Sequence, residues 1–167
     1  MRRFGALLLV TAVACSHAPT AGVVDVSGRM PSLAGELIDG GRLSAGEYRN
    51  KIVVVNFWNP YCGPCRTEAE ALERTWEKLR SLSVLVVGVH YVGGDWPPSV
   101  SAAMTFLHQY GVTYPVLEDP GSKLALAFGI QGIPSTVVTD PAGELRFRIL
   151  GGVKPGQVEE LVARLDR

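Results

Sequence analysis

The chain has 167 residues, 47% hydrophobic and 19% charged, which is enough for one domain around one core. Sixteen Lys and Arg balance sixteen Asp and Glu, and nucleic-acid binders usually carry a basic surplus, so no nucleic-acid partner is expected. No internal repeat or low-complexity tract is present, so solenoid and fibrous classes are set aside.

Arg2 and Arg3 precede an apolar stretch from Phe4 to Ala14. Eleven residues are too few for a spanning helix, which needs ~20. A basic start, a short apolar run and small residues describe an export signal over residues 1–14. Ala12-Val13-Ala14 then meets Cys15. This resembles a bacterial lipobox, whose cysteine takes lipid after the cut, although Leu is commoner than Ala at the place of Ala12. Lipid on Cys15 would hold the protein at a membrane by burying acyl chains, at ~0.8 kcal/mol per CH₂. Ala-Val-Ala also suits an ordinary signal peptidase, which would leave a soluble secreted or periplasmic protein. An uncleaved anchor is the third reading. Residues 15–30, rich in small residues with Pro19, Gly22 and Gly28, read as a lipidated N-terminus and tether. The domain is expected over residues 31–167.

Leu33 to Leu43 reads as a hairpin turning at Gly40-Gly41. Ile52 to Trp58 is nearly continuous apolar sequence and suits a central strand covered on both faces. From Gly63 to Ser81, Cys65, Ala69, Leu72, Trp76 and Leu79 recur at helical spacing as one buried stripe. Val84 to Val89 is a second buried strand. Gly93 to Pro98 is a loop in which Trp96 faces a partner or packs in a turn. Ser99 caps a helix ending before Gly111. Tyr114 to Leu117 is a short strand, and Ser122 to Phe128 a short helix stopped by Gly129. Ser135–Thr139 and Leu145–Leu150 form a hairpin across Asp140-Pro141-Ala142-Gly143. The last helix has Pro155 in its first turn and an apolar face of Val158, Leu161, Val162 and Leu165. This order implies an α/β fold with a central mixed sheet flanked by helices and an N-terminal hairpin extension.

Outside the cytoplasm a cysteine pair can be purely structural. With Cys15 assigned to lipid, Cys62 and Cys65 remain. So short a loop gains little from closure, which favours redox or metal chemistry over a staple. The pair lies where a buried strand passes into a helix. Unpaired N–H groups and the dipole at a helix start favour a thiolate, lowering the pKa of Cys62 from about 8.5. Cys62 would attack a partner disulfide, and Cys65, one turn further in and less exposed, would resolve the mixed disulfide. Pro64 suits the first helical turn. Glu68, one turn beyond Cys65, is placed to relay the proton that Cys65 must lose, if burial raises its pKa. The alternative for Glu68 is a solvated helix face.

Trp58-Asn59-Pro60-Tyr61-Cys62-Gly63-Pro64-Cys65 resembles thioredoxin. The wider context is similar to its exported relatives, the TlpA/ResA/DsbE-like thiol–disulfide oxidoreductases, which are related to the AhpC/TSA redoxins. The likeness runs from about Pro31 to the C-terminus. Asn56 stands where cytoplasmic thioredoxins carry a buried Asp, and Cys65-Arg66-Thr67-Glu68 is ResA-like. Gly132-Ile133-Pro134-Ser135-Thr136 is similar to the family's cis-proline loop. The resemblance implies a cis bond before Pro134 and a loop that packs on the dithiol and pairs with an incoming peptide. Ile133 would add an apolar contact. Asn59-Pro60-Tyr61 departs from the commoner Ala-Thr-Trp, which bears on partner choice. Trp58 and Tyr61 are candidates for packing or for substrate contact, with Tyr61 the more exposed. Arg66 is a solvated arginine or a support for the Cys62 thiolate. His90 and His108 read as structural or surface residues.

The family reading implies exchange with disulfides of exported proteins, apocytochrome c among the family's substrates, with electrons from a membrane dithiol carrier. No cofactor and no metal is expected. An oxidase or isomerase on the same fold is an alternative, because ~30 mV is only ~1.4 kcal/mol for this couple. A copper chaperone is another, although such relatives have three residues between the cysteines and a distant His. Structural zinc usually needs four ligands. The peroxiredoxin pattern Pro-x-x-x-Thr-x-x-Cys is absent around Cys62.

Overall fold

The computed structural model describes residues 22–93 and 97–165. The signal at 1–14, Cys15 and Trp96 lie outside the described residues. Six strands build one mixed sheet: β1 (Val23–Asp25), β4 (Ile52–Trp58), β5 (Val84–Tyr91), β6 (Val116–Asp119), β7 (Ser135–Thr139) and β8 (Leu145–Leu150). Their order across the sheet is β1-β8-β7-β4-β5-β6. The neighbours β4, β5 and β6 run parallel, whereas β7 is antiparallel to β4 and to β8, and β1 is antiparallel to β8. A separate two-stranded ribbon, β2 (Gly35–Glu36) with β3 (Arg42–Leu43), is the expected N-terminal hairpin, shorter than its sequence span.

All seven residues of β4 are buried, as a central strand covered on both faces requires. Ile52, Val54 and Trp58 face one cluster, shared with Leu72, Phe106 and Val158 from α2 (Gly63–Leu79), α3 (Val100–Gln109) and α5 (Gln157–Leu165). Val53, Val55 and Phe57 face the other, with Leu33, Leu43, Ala125 and Phe128 from the ribbon side and α4 (Lys123–Ala127). The period-two alternation therefore splits one strand between two half-cores. Asn56 belongs to the α2 face, and it needs a polar partner there.

Two expectations change, and one element is new. The folded unit begins before Pro31: Val23–Asp25 pairs with Phe147–Ile149, and Arg29 bridges Glu144, so residues 22–30 are not a free tether. Two apolar side chains in a three-residue segment leave no periodicity to read, and pairing with β8 supplied the missing hydrogen bonds. Pro155 lies in the turn before α5 rather than in its first turn. A four-residue helix, α1 (Ala45–Tyr48), follows Ser44; Glu47 closes a capping box on it.

Candidate active site

Parallel strands and an antiparallel neighbour bring three chain ends to one edge of the sheet. Phe57 pairs with Ser135, and Ser135 with Leu150, so the end of β4, the start of β7 and the end of β8 coincide. The strand exit after Trp58, the Ile133–Pro134 loop and the Gly151–Val153 loop therefore meet there.

The loop from β4 into α2 is shaped by Asn59. Its side-chain carbonyl accepts from Tyr61 N at 3.0 Å, its main-chain carbonyl accepts from Cys62 N at 3.1 Å, and its amide donates to Tyr91 O at 2.9 Å. Asn59 is fully buried. Its departure from the commoner family residue thus acts on loop shape; of the triplet, Tyr61 alone is exposed, at 44%. Arg66 is exposed, and its Nε donates to Pro60 O at 3.0 Å, tying the loop to α2.

Cys62 is the N-cap of α2 and Pro64 lies in its first turn. Cys62 and Cys65 form a disulfide with S–S 2.10 Å and Cα–Cα 5.3 Å. The Cys65 N–H points at Cys62 Sγ at 3.2 Å, where an unpaired helix donor stabilises negative charge. In this oxidised form both cysteines are buried, so the expected difference in exposure between them is slight.

Glu68 is not a solvated helix residue: it is 2% exposed. Its Oε1 accepts from Asn56 Nδ2 at 2.9 Å and its Oε2 from Val153 N at 2.7 Å. Asn56 also donates to Thr136 Oγ1 at 3.0 Å. Burial pushes the Glu68 carboxyl up to about 7, against the pull of the Val153 and Asn56 hydrogen bonds toward lower values. Thr136 and Val153 carried no sequence signal as site residues; one is an ordinary strand threonine, and the other acts through its backbone. Tyr114, buried, is held above the usual phenol range by desolvation, with the Glu68 and Glu73 charges adding to it.

The Ile133–Pro134 bond is cis, as the family resemblance implied. Pro134 is buried, its carbonyl accepts from Gly151 N at 3.1 Å, and Ile133 packs against the cluster that contains both cysteines. A groove of about 360 Å³ runs along Ile133, Pro134, Ser135, Leu150 and Gly151. Ser135 Oγ is buried there without a hydrogen-bond partner among the described residues.

Trp58 does not reach this surface. It is 2% exposed and stacks on Phe106 at 4.4 Å, so it is a packing residue and not a substrate contact. Gly88 makes room for it: a Cβ there would stand 2.9 Å from Trp58 Nε1 and 3.2 Å from the Tyr114 ring. His90 is buried beside Trp58, with ring centroids 5.7 Å apart, and burial lowers its pKa; His108 is exposed on α3. Among the described residues, no three of His, Cys, Asp or Glu gather at one place.

The AhpC/TSA family model matches residues 26–148. The thiol:disulfide interchange protein HelX of Rhodobacter capsulatus is 32% identical over 142 residues, 84% of this chain and 70% of HelX. The thiol-disulfide oxidoreductase ResA of Bacillus subtilis is 26% identical over 78% of this chain and 70% of its own. A DsbF homologue from Corynebacterium diphtheriae has a similar structure, with TM-score 0.75 and 27% identity over 90% of this chain and 98% of that one. The cysteine pair at the start of α2 and these relatives lead to one conclusion: the chain belongs to the AhpC/TSA family and is a thiol–disulfide oxidoreductase.

Proposed function

We propose that this oxidoreductase works outside the cytoplasm, anchored by lipid on Cys15, and reduces disulfides of exported proteins. The observation that carries the chemical reading is Cys62 at the N-terminus of α2, with the Cys65 N–H on its sulfur and a buried carboxyl one turn away.

In the reduced enzyme the Cys62 thiolate attacks one sulfur of a partner disulfide. A mixed disulfide forms and the other partner sulfur leaves as a thiolate. Cys65 passes its proton to Glu68 and attacks Cys62 Sγ. The second partner sulfur leaves and is protonated, so the partner gains two electrons and the enzyme closes its disulfide. A carboxyl that titrates near 7 is suited to accept and return that proton at neutral pH. The groove beside Ile133 and Pro134 holds an extended peptide from the partner, and exposed Tyr61, next to Cys62, offers it a further contact.

A membrane dithiol carrier restores the reduced state, and a disulfide between the haem-attachment cysteines of apocytochrome c is a suited target, released as two thiols. Support for the exported setting comes from the segment Arg2 to Cys15. No described helix is long and apolar enough to cross a membrane. The reading is tested by expressing Cys65→Ser in the native host and identifying the proteins it captures. Capture of exported proteins through Cys62 is expected; capture of cytoplasmic proteins alone would refute it. Net oxidation of those captured partners by the wild type would reassign it as an oxidase.

A further inference from the structure

The N-terminal end of the folded unit lies at the same edge of the sheet as the cysteines. Val23 pairs with Ile149, and Leu150 N donates to Gly22 O at 2.7 Å. Leu150 pairs with Ser135, and Ser135 with its neighbour in β4, Phe57. Gly22 therefore stands at the edge where β4 hands over to α2, three strand spacings away, or about 14 Å. The groove at Ile133, Pro134 and Leu150 lies between. The opposite edge, at the turn Pro141-Ala142-Gly143, is a strand length further, roughly 20 Å.

Gly22 is seven residues on from Cys15. A chain of that length spans at most about 25 Å even when fully extended. A lipid on Cys15 would thus keep Gly22 near the headgroups. Near Gly22 the rim suits that neighbour: residues 58–67, 131–135 and 150–156 carry exposed Arg66 and Lys154 and no acidic side chain, while half-buried Glu118 and buried Asp119 end β6 at the far side of the same edge. Tyr61 and Leu150, 44% and 56% exposed, add apolar surface to it. Anionic headgroups attract such cations and would repel carboxylates.

We infer that the short N-terminal link turns the dithiol edge of the sheet toward the bilayer, presenting Cys62 to cysteines of membrane-bound partners at the membrane surface. This rests on the lipid anchor proposed above. It adds an orientation that an anchor alone does not impose, since a longer link would leave the domain free to turn and attachment at the opposite edge would leave the cysteines facing away.

The test uses the full mature protein in vesicles of phosphatidylcholine and phosphatidylglycerol, with the Cys62–Cys65 disulfide closed and lipidation checked by mass spectrometry. A fluorophore is placed on Gln131→Cys, at the dithiol edge, or on Ala142→Cys, at the opposite edge; both positions are exposed. Energy transfer to a headgroup acceptor should be several-fold more efficient from position 131. Inserting about 30 Gly/Ser residues between Cys15 and Gly22 should abolish the difference. Lipidated protein with equal or reversed transfer overturns the orientation while leaving the anchor intact. Unmodified Cys15 overturns the anchor and the orientation together.

Discussion

Asn56 Nδ2 donates to Glu68 Oε1 at 2.9 Å, which joins the central strand to the helix that carries both cysteines. Glu68 is held from both sides by donors, the Asn56 amide and the Val153 N–H. Two donors favour the anion, whereas burial favours the neutral acid, and burial prevails, leaving the group near 7.

That balance predicts a pH dependence of stability. In the unfolded chain Glu68 loses its proton near 4.5, and in the folded oxidised protein near 7. Between these values the folded state binds more protons, so its stability falls as pH rises. The contribution is intact below about 4.5 and lost above about 7, amounting to roughly 3 kcal/mol. Denaturant unfolding of wild type and Glu68→Gln from pH 4 to 8 checks this. The variant should lack that part of the slope; parallel curves would contradict the raised pKa. Its thiol-exchange rate should also lose a pH step near 7, and an unchanged rate profile removes Glu68 from the proton path.

Asn56→Ala removes a donor that pulls Glu68 toward acidity. The exchange profile should therefore move to higher pH. Stability should drop by about 1–3 kcal/mol, because Glu68 Oε1 and Thr136 Oγ1 lose a buried partner. A shift to lower pH would show that the hydrogen bond serves the neutral acid instead.

Cys62→Ser should reduce activity on a test peptide disulfide to background. Cys65→Ser should form mixed disulfides with that peptide that persist, since nothing resolves them. Free thiol counting and non-reducing electrophoresis read both outcomes. Persistent adducts on Cys65 in Cys62→Ser, with none on Cys62 in Cys65→Ser, would reverse the order of attack.

Trp58→Ala should cost about 3–5 kcal/mol, as loss of a large buried ring does. Trp58→Phe should cost far less, because Trp58 Nε1 has no hydrogen-bond partner among the described residues to lose. Chemical denaturation measures both. Exchange with peptides should be little changed in Trp58→Phe; a large rise in KM at unchanged stability would restore Trp58 as a substrate contact.

The sequence by itself determined what is local. A buried β-branched strand, a Cys-Gly-Pro-Cys turn and a helical apolar stripe put Cys62 at a helix start. Three-residue spacing brings the cysteines within bonding reach, and no distant contact is needed for either result. The alternating strands and helices likewise set the α/β architecture. The tertiary structure decided the rest. The acidity of Glu68 depends on Asn56 and Val153, one on the preceding strand and the other 85 residues away. Trp58 was free to be surface or core until Phe106 stacked on it and Gly88 made room. Residues 23–25 became a strand because β8 offered them an edge. Desolvation, stacking and edge pairing depend on which surfaces the folded chain brings together, and residue spacing along one segment does not encode that.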